Sequence, residues 1–305
     1  MTRRACVIAV LVASVLPPVA SHAQQKVLVG HAASPTISMR LAAPVGDVKV
    51  IGWDRDSVEV SGSMPVGSRV EMYGGPPGEL AKGVKMFVEM PAEASSRDGR
   101  LVLRVPRGAR VWLKMGSADM DVTGVTGGLD LNIVGGSITV HGNPREVRAE
   151  SMDGNVTIEG APEWLRAKTA TGDITLRGGQ DIGASTISGT IRSSGGEVER
   201  ARLESTTGAI VFASGLARSV SLELETHSGP IDLALPLKID VELDAATITG
   251  AIDNQWTRAR PVAGREGRGM TLATTSGMGG GRIVVRSFKG TVQLRARLLP
   301  SQLVK

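Results

Sequence analysis

Cysteine, aromatic rings and long apolar runs are all scarce in this sequence of 305 residues. Only Cys6 carries a thiol, and it lies in an N-terminal stretch laid out like an export signal. Arg3-Arg4 precede the apolar Ala5 to Leu16, then come the break Pro17-Pro18 and the small-x-small Ser21-His22-Ala23 before Gln24. Cleavage is expected after Ala23, by the general secretory route, because the residues after Arg3-Arg4 lack the rest of a twin-arginine pattern. The mature chain then has no thiol, which excludes cysteine nucleophiles, thiolate metal sites and disulfides in the periplasm, at the cell surface or outside the cell. No apolar run reaches the roughly 20 residues of a membrane-spanning helix, so no transmembrane segment is expected in the mature chain. Loss of Arg3 and Arg4 lowers the basic count from 35 to 33 against 30 acids, a net charge of +3 where the precursor has +5. The remaining basic residues are interspersed with acids, which argues against a nucleic-acid partner.

Eight aromatic residues stand beside 39 glycines. A broad, ring-filled enzyme core is therefore excluded. The interior must be filled by Val, Ile, Leu, Ala and Thr, side chains that suit narrow, pleated packing in which large rings find little room.

What is present is a repeat. Gly136-Ser-Ile-Thr-Val, Gly154-Asn-Val-Thr-Ile and Gly172-Asp-Ile-Thr-Leu share one frame, which continues at Gly189, Gly208, Gly229 and Gly250 and has an earlier copy at Ala118. The spacings run 18, 18, 18, 17, 19, 21 and 21. Three residues before each glycine from Gly154 to Gly250 stands a hydroxyl: Ser151, Thr169, Thr186, Ser205, Thr226 and Thr247. Five before stands Ala149, Ala167, Ala184, Leu203, Leu224 or Ala245. Each unit is thus two short period-two segments meeting at a glycine. Such a unit cannot bury its own apolar side, but coils stacked at the strand spacing of about 4.8 Å bury a continuous column. The pattern predicts an all-β, single-stranded β-solenoid with coils of about 17–21 residues. Glycine is expected at the corners for its freedom in φ, and the hydroxyls are expected to form a ladder bonded to the neighbouring coil. The drift in spacing, and the lack of a strict six-residue subperiod, favour a right-handed β-helix over a left-handed one. A twisted β-sandwich has the same strand content but no need of identical corners.

Beyond the signal at 1–23, residues 24–105 read as a β region that starts or caps the solenoid, with Gly46 to Val50 as an outgoing segment. Regular coils are expected over 106–257 and an irregular Gly/Arg-rich excursion over 258–281, in which Leu272, Thr274 and Gly277 keep the incoming half of the motif. A final coil and tail fill 282–305, with Ser287 and Gly290 in the repeat positions.

These features resemble the bacterial putative-adhesin family of exported domains of unknown function. The residues that carry the resemblance are the phrase Thr169 to Leu176, the stretch Val50-Ile51-Gly52-Trp53-Asp54 followed by Val58-Glu59-Val60, and the lead-in Val105-Pro106-Arg107-Gly108, over roughly 40–295. The resemblance implies a β-helix and an adhesin-like role, with no catalytic residues to transfer. Pro230, Ser193, Asn254 and 258–281 depart from the pattern.

Since β-helices also carry polysaccharide lyases and hydrolases, paired acids were sought among Asp119, Asp121, Asp130, Asp153, Asp173, Asp232 and Asp253. All fall at alternating or turn positions that face solvent, where charge serves solubility. His31, His141 and His227 are isolated, without metal-ligand spacing. Thr139, Thr157 and Thr175 form a short outer ladder, as solvent-facing threonines in sheets often do. Trp112, Trp164 and Trp256 could stack on sugars or cover the column. The basic excursion, Arg258, Arg260, Arg265 and Arg268, together with Trp256, is the candidate surface for an anionic contact. The expectation is an exported, non-enzymatic binding or structural module without cofactor or metal, whose partners are envelope glycans or surface proteins. A carbohydrate-active enzyme on the same scaffold is the alternative, and a polymer formed by end stacking is a further one.

Overall fold

The computed structural model describes residues 23–44, 46–76, 78–93, 98–264 and 267–297. The expected signal up to residue 22 lies outside them, as does Arg265. The chain is all-β, with no α-helix among the described residues.

The strands alternate between two ladders. In the first, 38–43, 110–115, 128–135, 146–153, 164–168, 181–186, 200–205, 221–226, 282–287 and 241–247 pair in that spatial order, all parallel. In the second, the order is 47–53, 120–123, 138–141, 156–159, 174–177, 191–194, 210–212, 231–236, 292–297 and 252–254, again parallel. Period two puts every other side chain inside, and one-level register stacks like on like. Ile138, Val156, Ile174, Ile191, Ile210 and Ile231 form one buried column.

Spatial order departs from chain order at both ends. Strand Gly281–Ser287 lies between 221–226 and Val241–Thr247, and strand Val292–Arg297 lies between Ile231–Pro236 and Ile252–Asn254. The segment expected as the final coil is therefore penultimate. At the other end, 38–42 lies between 83–87 and 110–114, and 47–53 lies between 100–106 and 120–123. Antiparallel strands lie on several outer edges: Arg69–Tyr73 on Ala81–Glu89, Ser57–Pro65 on Arg100–Pro106 with Gln24–Ala32 beyond it, and Met270–Ser276 on Val241–Thr247. Leu272 and Thr274 thus run against the ladder, and of this pair only Leu272 is buried.

The repeated glycines are needed for a reason other than the expected one. Of Gly136, Gly154, Gly172, Gly189, Gly208, Gly229, Gly250 and Gly290, only Gly136 has a positive φ. The constraint is close approach. A Cβ on Gly154 would stand 1.8 Å from the Gly136 carbonyl oxygen, one on Gly290 1.9 Å from that of Gly229, and one on Gly250 2.1 Å from that of Gly290. A second column, unread in the sequence, packs the same way: a Cβ on Gly160 would meet the Gly142 carbonyl at 1.6 Å, on Gly178 that of Gly160 at 2.2 Å, and on Gly52 that of Gly124 at 2.1 Å.

The hydroxyl positions are buried. Thr169 Oγ1 donates to the Gly154 carbonyl at 3.0 Å and accepts from the Gly172 N–H at 3.2 Å. Ser151 donates to Gly136 and Thr186 to Gly172, whereas Thr226 and Thr247 donate to Gly229 and Gly250 of their own corner. With its proton on Gly229, Thr226 Oγ1 is placed to accept from Ser287 Oγ, 3.2 Å away, so the inserted strand continues the column.

Large rings do enter the interior, contrary to expectation. Phe212 is fully buried because its neighbour in the column is Ser193, whose small side chain leaves the volume a leucine would fill. Trp256 is buried as well, its indole N–H donating to the Pro236 carbonyl at 3.0 Å.

Candidate binding surface

The outward position that follows each buried hydroxyl forms a stripe along one corner. Strand alternation turns this side chain out just before the glycine corner, and the one-level register lines up Val134, Met152, Ala170, Ile187, Thr206, His227, Phe288 and Ile248. Backbone bonds hold the column. Ala170 N–H donates to Met152, Ile187 N–H to Ala170, Phe288 N–H to Thr226 and Ile248 N–H to Ser287, each at 3.1–3.2 Å. Val134, Met152, Ile187, Ile248 and Phe288 are between 42 and 63% exposed. At about 4.8 Å per level the stripe spans roughly 34 Å. A mostly apolar row, broken only at Thr206 and His227, is unlike the scattered apolar residues of an ordinary surface.

Beside the stripe runs a groove of about 810 Å³, walled by Ile187, His227, Phe288 and Ile248 on one side and by Arg202, Glu204, Glu225 and Arg286 on the other. A smaller hollow of about 330 Å³ extends it past Val134, Met152 and Ala170, sharing Thr169. His227 stacks on Phe288, with centroids 4.9 Å apart and planes at 7°. The groove's charges are braced: Arg202 binds Glu204 and Glu223, and Arg286 binds Asp244 at 2.8 Å.

The expected acids do not gather into pairs. Asp173 binds Arg192 at 3.0 Å and Asp232 binds Arg295 at 2.7 Å. Asp119 accepts from Ser137 N–H and Oγ, Asp153 from Thr171, Asp121 from Thr123, Asp130 from Asn132 and Asp253 from Gln255. Thr139, Thr157 and Thr175 stand side by side on the outer face of the second ladder. His141 lies 3.1 Å from Glu159, and His31 touches the Gly75 carbonyl. His227, read from the sequence as isolated, is the one histidine on the groove.

The basic excursion divides. Arg258, Arg260 and Arg268 are exposed near the covering hairpin. Trp256 is withdrawn from the candidate surface because its ring closes the column.

Two solved structures align with the chain over most of its length. A putative cell adhesion protein from Clostridium sporogenes is 9% identical, with a TM-score of 0.26 over 90% of this chain and 100% of that one. A putative adhesin from Bacteroides fragilis is 12% identical, with a TM-score of 0.42 over 88% and 97%. No family model matches the chain, and no curated protein matches it.

The signal that could have found the stripe was positional: the residue after each Ser/Thr. Its chemistry varies from methionine to histidine, so identity matching passes over it. No helix among the described residues is long and apolar enough to cross a membrane.

Proposed function

We propose that the chain is an exported, adhesin-like β-solenoid that binds a protein surface at the cell envelope through its corner stripe, without catalysis. The observation that carries this reading is the in-register row from Val134 to Ile248, an exposed apolar edge with a groove beside it. Eight levels offer many weak contacts on one rigid edge, so affinity accumulates by multivalency. The solenoid reading is supported by chain alternation between two parallel ladders at one-level offset, and a right hand agrees with the usual sense of parallel crossovers. Binding is favoured over hydrolysis because the outer acids are held by arginines, hydroxyls or amides instead of facing one another. End-to-end polymerisation is disfavoured, since antiparallel strands cover the first ladder at both ends.

The test compares the mature protein with a Met152→Glu, Ile187→Glu, Phe288→Glu triple variant for retention on intact cells and isolated envelopes. Loss of retention with unchanged circular dichroism supports the reading. Undiminished retention, or polysaccharide turnover abolished by a single Asp substitution, overturns it.

A further inference from the structure

A second surface, on the outer face of the first ladder, has a different chemistry. Register sets two outward rows there: Arg110, Gly128, Glu146 and Trp164 in one, and Arg40, Trp112, Asp130 and Arg148 in the other. The first row has a gap at Gly128. Gly128 has no positive φ, and, unlike at the corner glycines, a Cβ there would meet no backbone atom, only Arg110 Cγ at 3.6 Å and Glu146 Oε2 at 3.8 Å. Nothing in the packing requires a glycine at this position. Its missing side chain opens a depression of about 320 Å³ with Trp112 and Trp164 in its lining.

The two tryptophans are three levels apart, roughly 14 Å at the strand spacing. Trp164 is held by the Arg166 guanidinium, 4.6 Å from its ring centroid, and Arg166 does not line the depression. Polar groups with spare capacity lie between the rings. Arg110 and Glu146 approach only to 4.0 Å, and Asp130 receives Asn132 on one oxygen. Arg40 is exposed beside Trp112. Arg148 is turned to Glu150 at 2.8 Å. With Arg148 taken by Glu150, the lining leaves Arg40 and Arg110 beside Asp130 and Glu146, and Arg40 is the exposed guanidinium among them.

Separated indole platforms suit the apolar faces of pyranose rings, while carboxylates and guanidinium groups between them suit hydroxyls. The exposed Arg40 guanidinium suits a ligand carboxylate. We propose that this depression binds a short acidic oligosaccharide, with one ring on Trp112, another on Trp164 and a uronate carboxylate at Arg40. The site is independent of the corner stripe, and either can fail without the other.

The experiment titrates the mature protein with trigalacturonate, a hyaluronan tetrasaccharide and neutral maltotriose, followed by tryptophan fluorescence and calorimetry. Saturable binding of at least one acidic probe is expected, at least tenfold tighter than maltotriose. Trp112→Ala and Trp164→Ala should each weaken it about tenfold, and Arg40→Ala should remove most of the preference for acid. Gly128→Val, which fills the gap without a backbone clash, should abolish binding while circular dichroism stays unchanged. Phe288→Glu on the stripe should leave it intact. Failure of both acidic probes to saturate, equal affinity for maltotriose, or full binding by Gly128→Val overturns the assignment.

Discussion

His227 and Phe288 are far apart in the chain, yet their rings stack 4.9 Å apart and within 7° of parallel on adjacent levels. The pair exists because strand Gly281–Ser287 is seated beside 221–226, with Val241–Thr247 on its other side. Its removal would leave two facing strand edges unpaired at once.

Disruption of this strand should therefore be felt on both sides. Ile283 is fully buried, and Ile283→Ala is expected to cost about 3 kcal/mol in denaturant unfolding. Hydrogen exchange should show amides of 221–226 and 241–247 losing protection together. Loss confined to 282–297 would contradict the seating.

Glycine substitutions should separate by position. Gly154→Ala places a methyl 1.8 Å from a backbone oxygen and should destabilise by about 3 kcal/mol. Gly128→Ala meets only flexible side chains and should change stability by less than about 1 kcal/mol. Urea midpoints of the two variants read the difference.

The hydroxyl column allows a similar contrast. Thr169→Val removes a donor to Gly154 and an acceptor for Gly172, and should cost about 1–2 kcal/mol. Ser205 Oγ is buried without a hydrogen-bond partner, so Ser205→Ala should be neutral or stabilising. Thermal unfolding of both proteins at one pH decides the point.

One surface pair should make stability respond to acid. Arg107 binds Asp54 at 2.7 and 3.2 Å, and this hydrogen bond holds the Asp54 carboxyl below its ordinary value of 3.8. A lowered folded-state pKa adds stability above the unfolded value, and that stability is lost as pH falls through the folded value. Wild type should therefore exceed Asp54→Asn in melting temperature at pH 7, with the small gap closing below about pH 4. A gap that does not shrink as the pH is lowered from 7 into the strongly acid range would contradict this origin.

The periodic part of the chain was legible because its cause is local and repeated. Each level needs a glycine where backbones touch and a hydroxyl beside it, so Thr169 and Gly172 announce themselves. The second glycine column, at 124, 142, 160, 178 and 196, recurs every 18 residues and was equally readable. Order at the ends was hidden for a different reason: which edge 282–287 chooses is a matter of pairing between distant segments, and its motif fits any level. Phe212 was hidden because the volume that admits it belongs to Ser193 one level away. The stripe and the Trp112–Trp164 depression depend on register, which decides neighbours that spacing alone leaves unassigned.

The enclosed position of Val292–Arg297 also has a mechanical side. A pull on residue 297 loads a strand bonded to Ile231–Pro236 on one flank and to Ile252–Asn254 on the other. Two rows of hydrogen bonds must give way together, where an outermost strand would peel from a single neighbour. Strand Val292–Arg297 thus resists tension better than an outermost strand would.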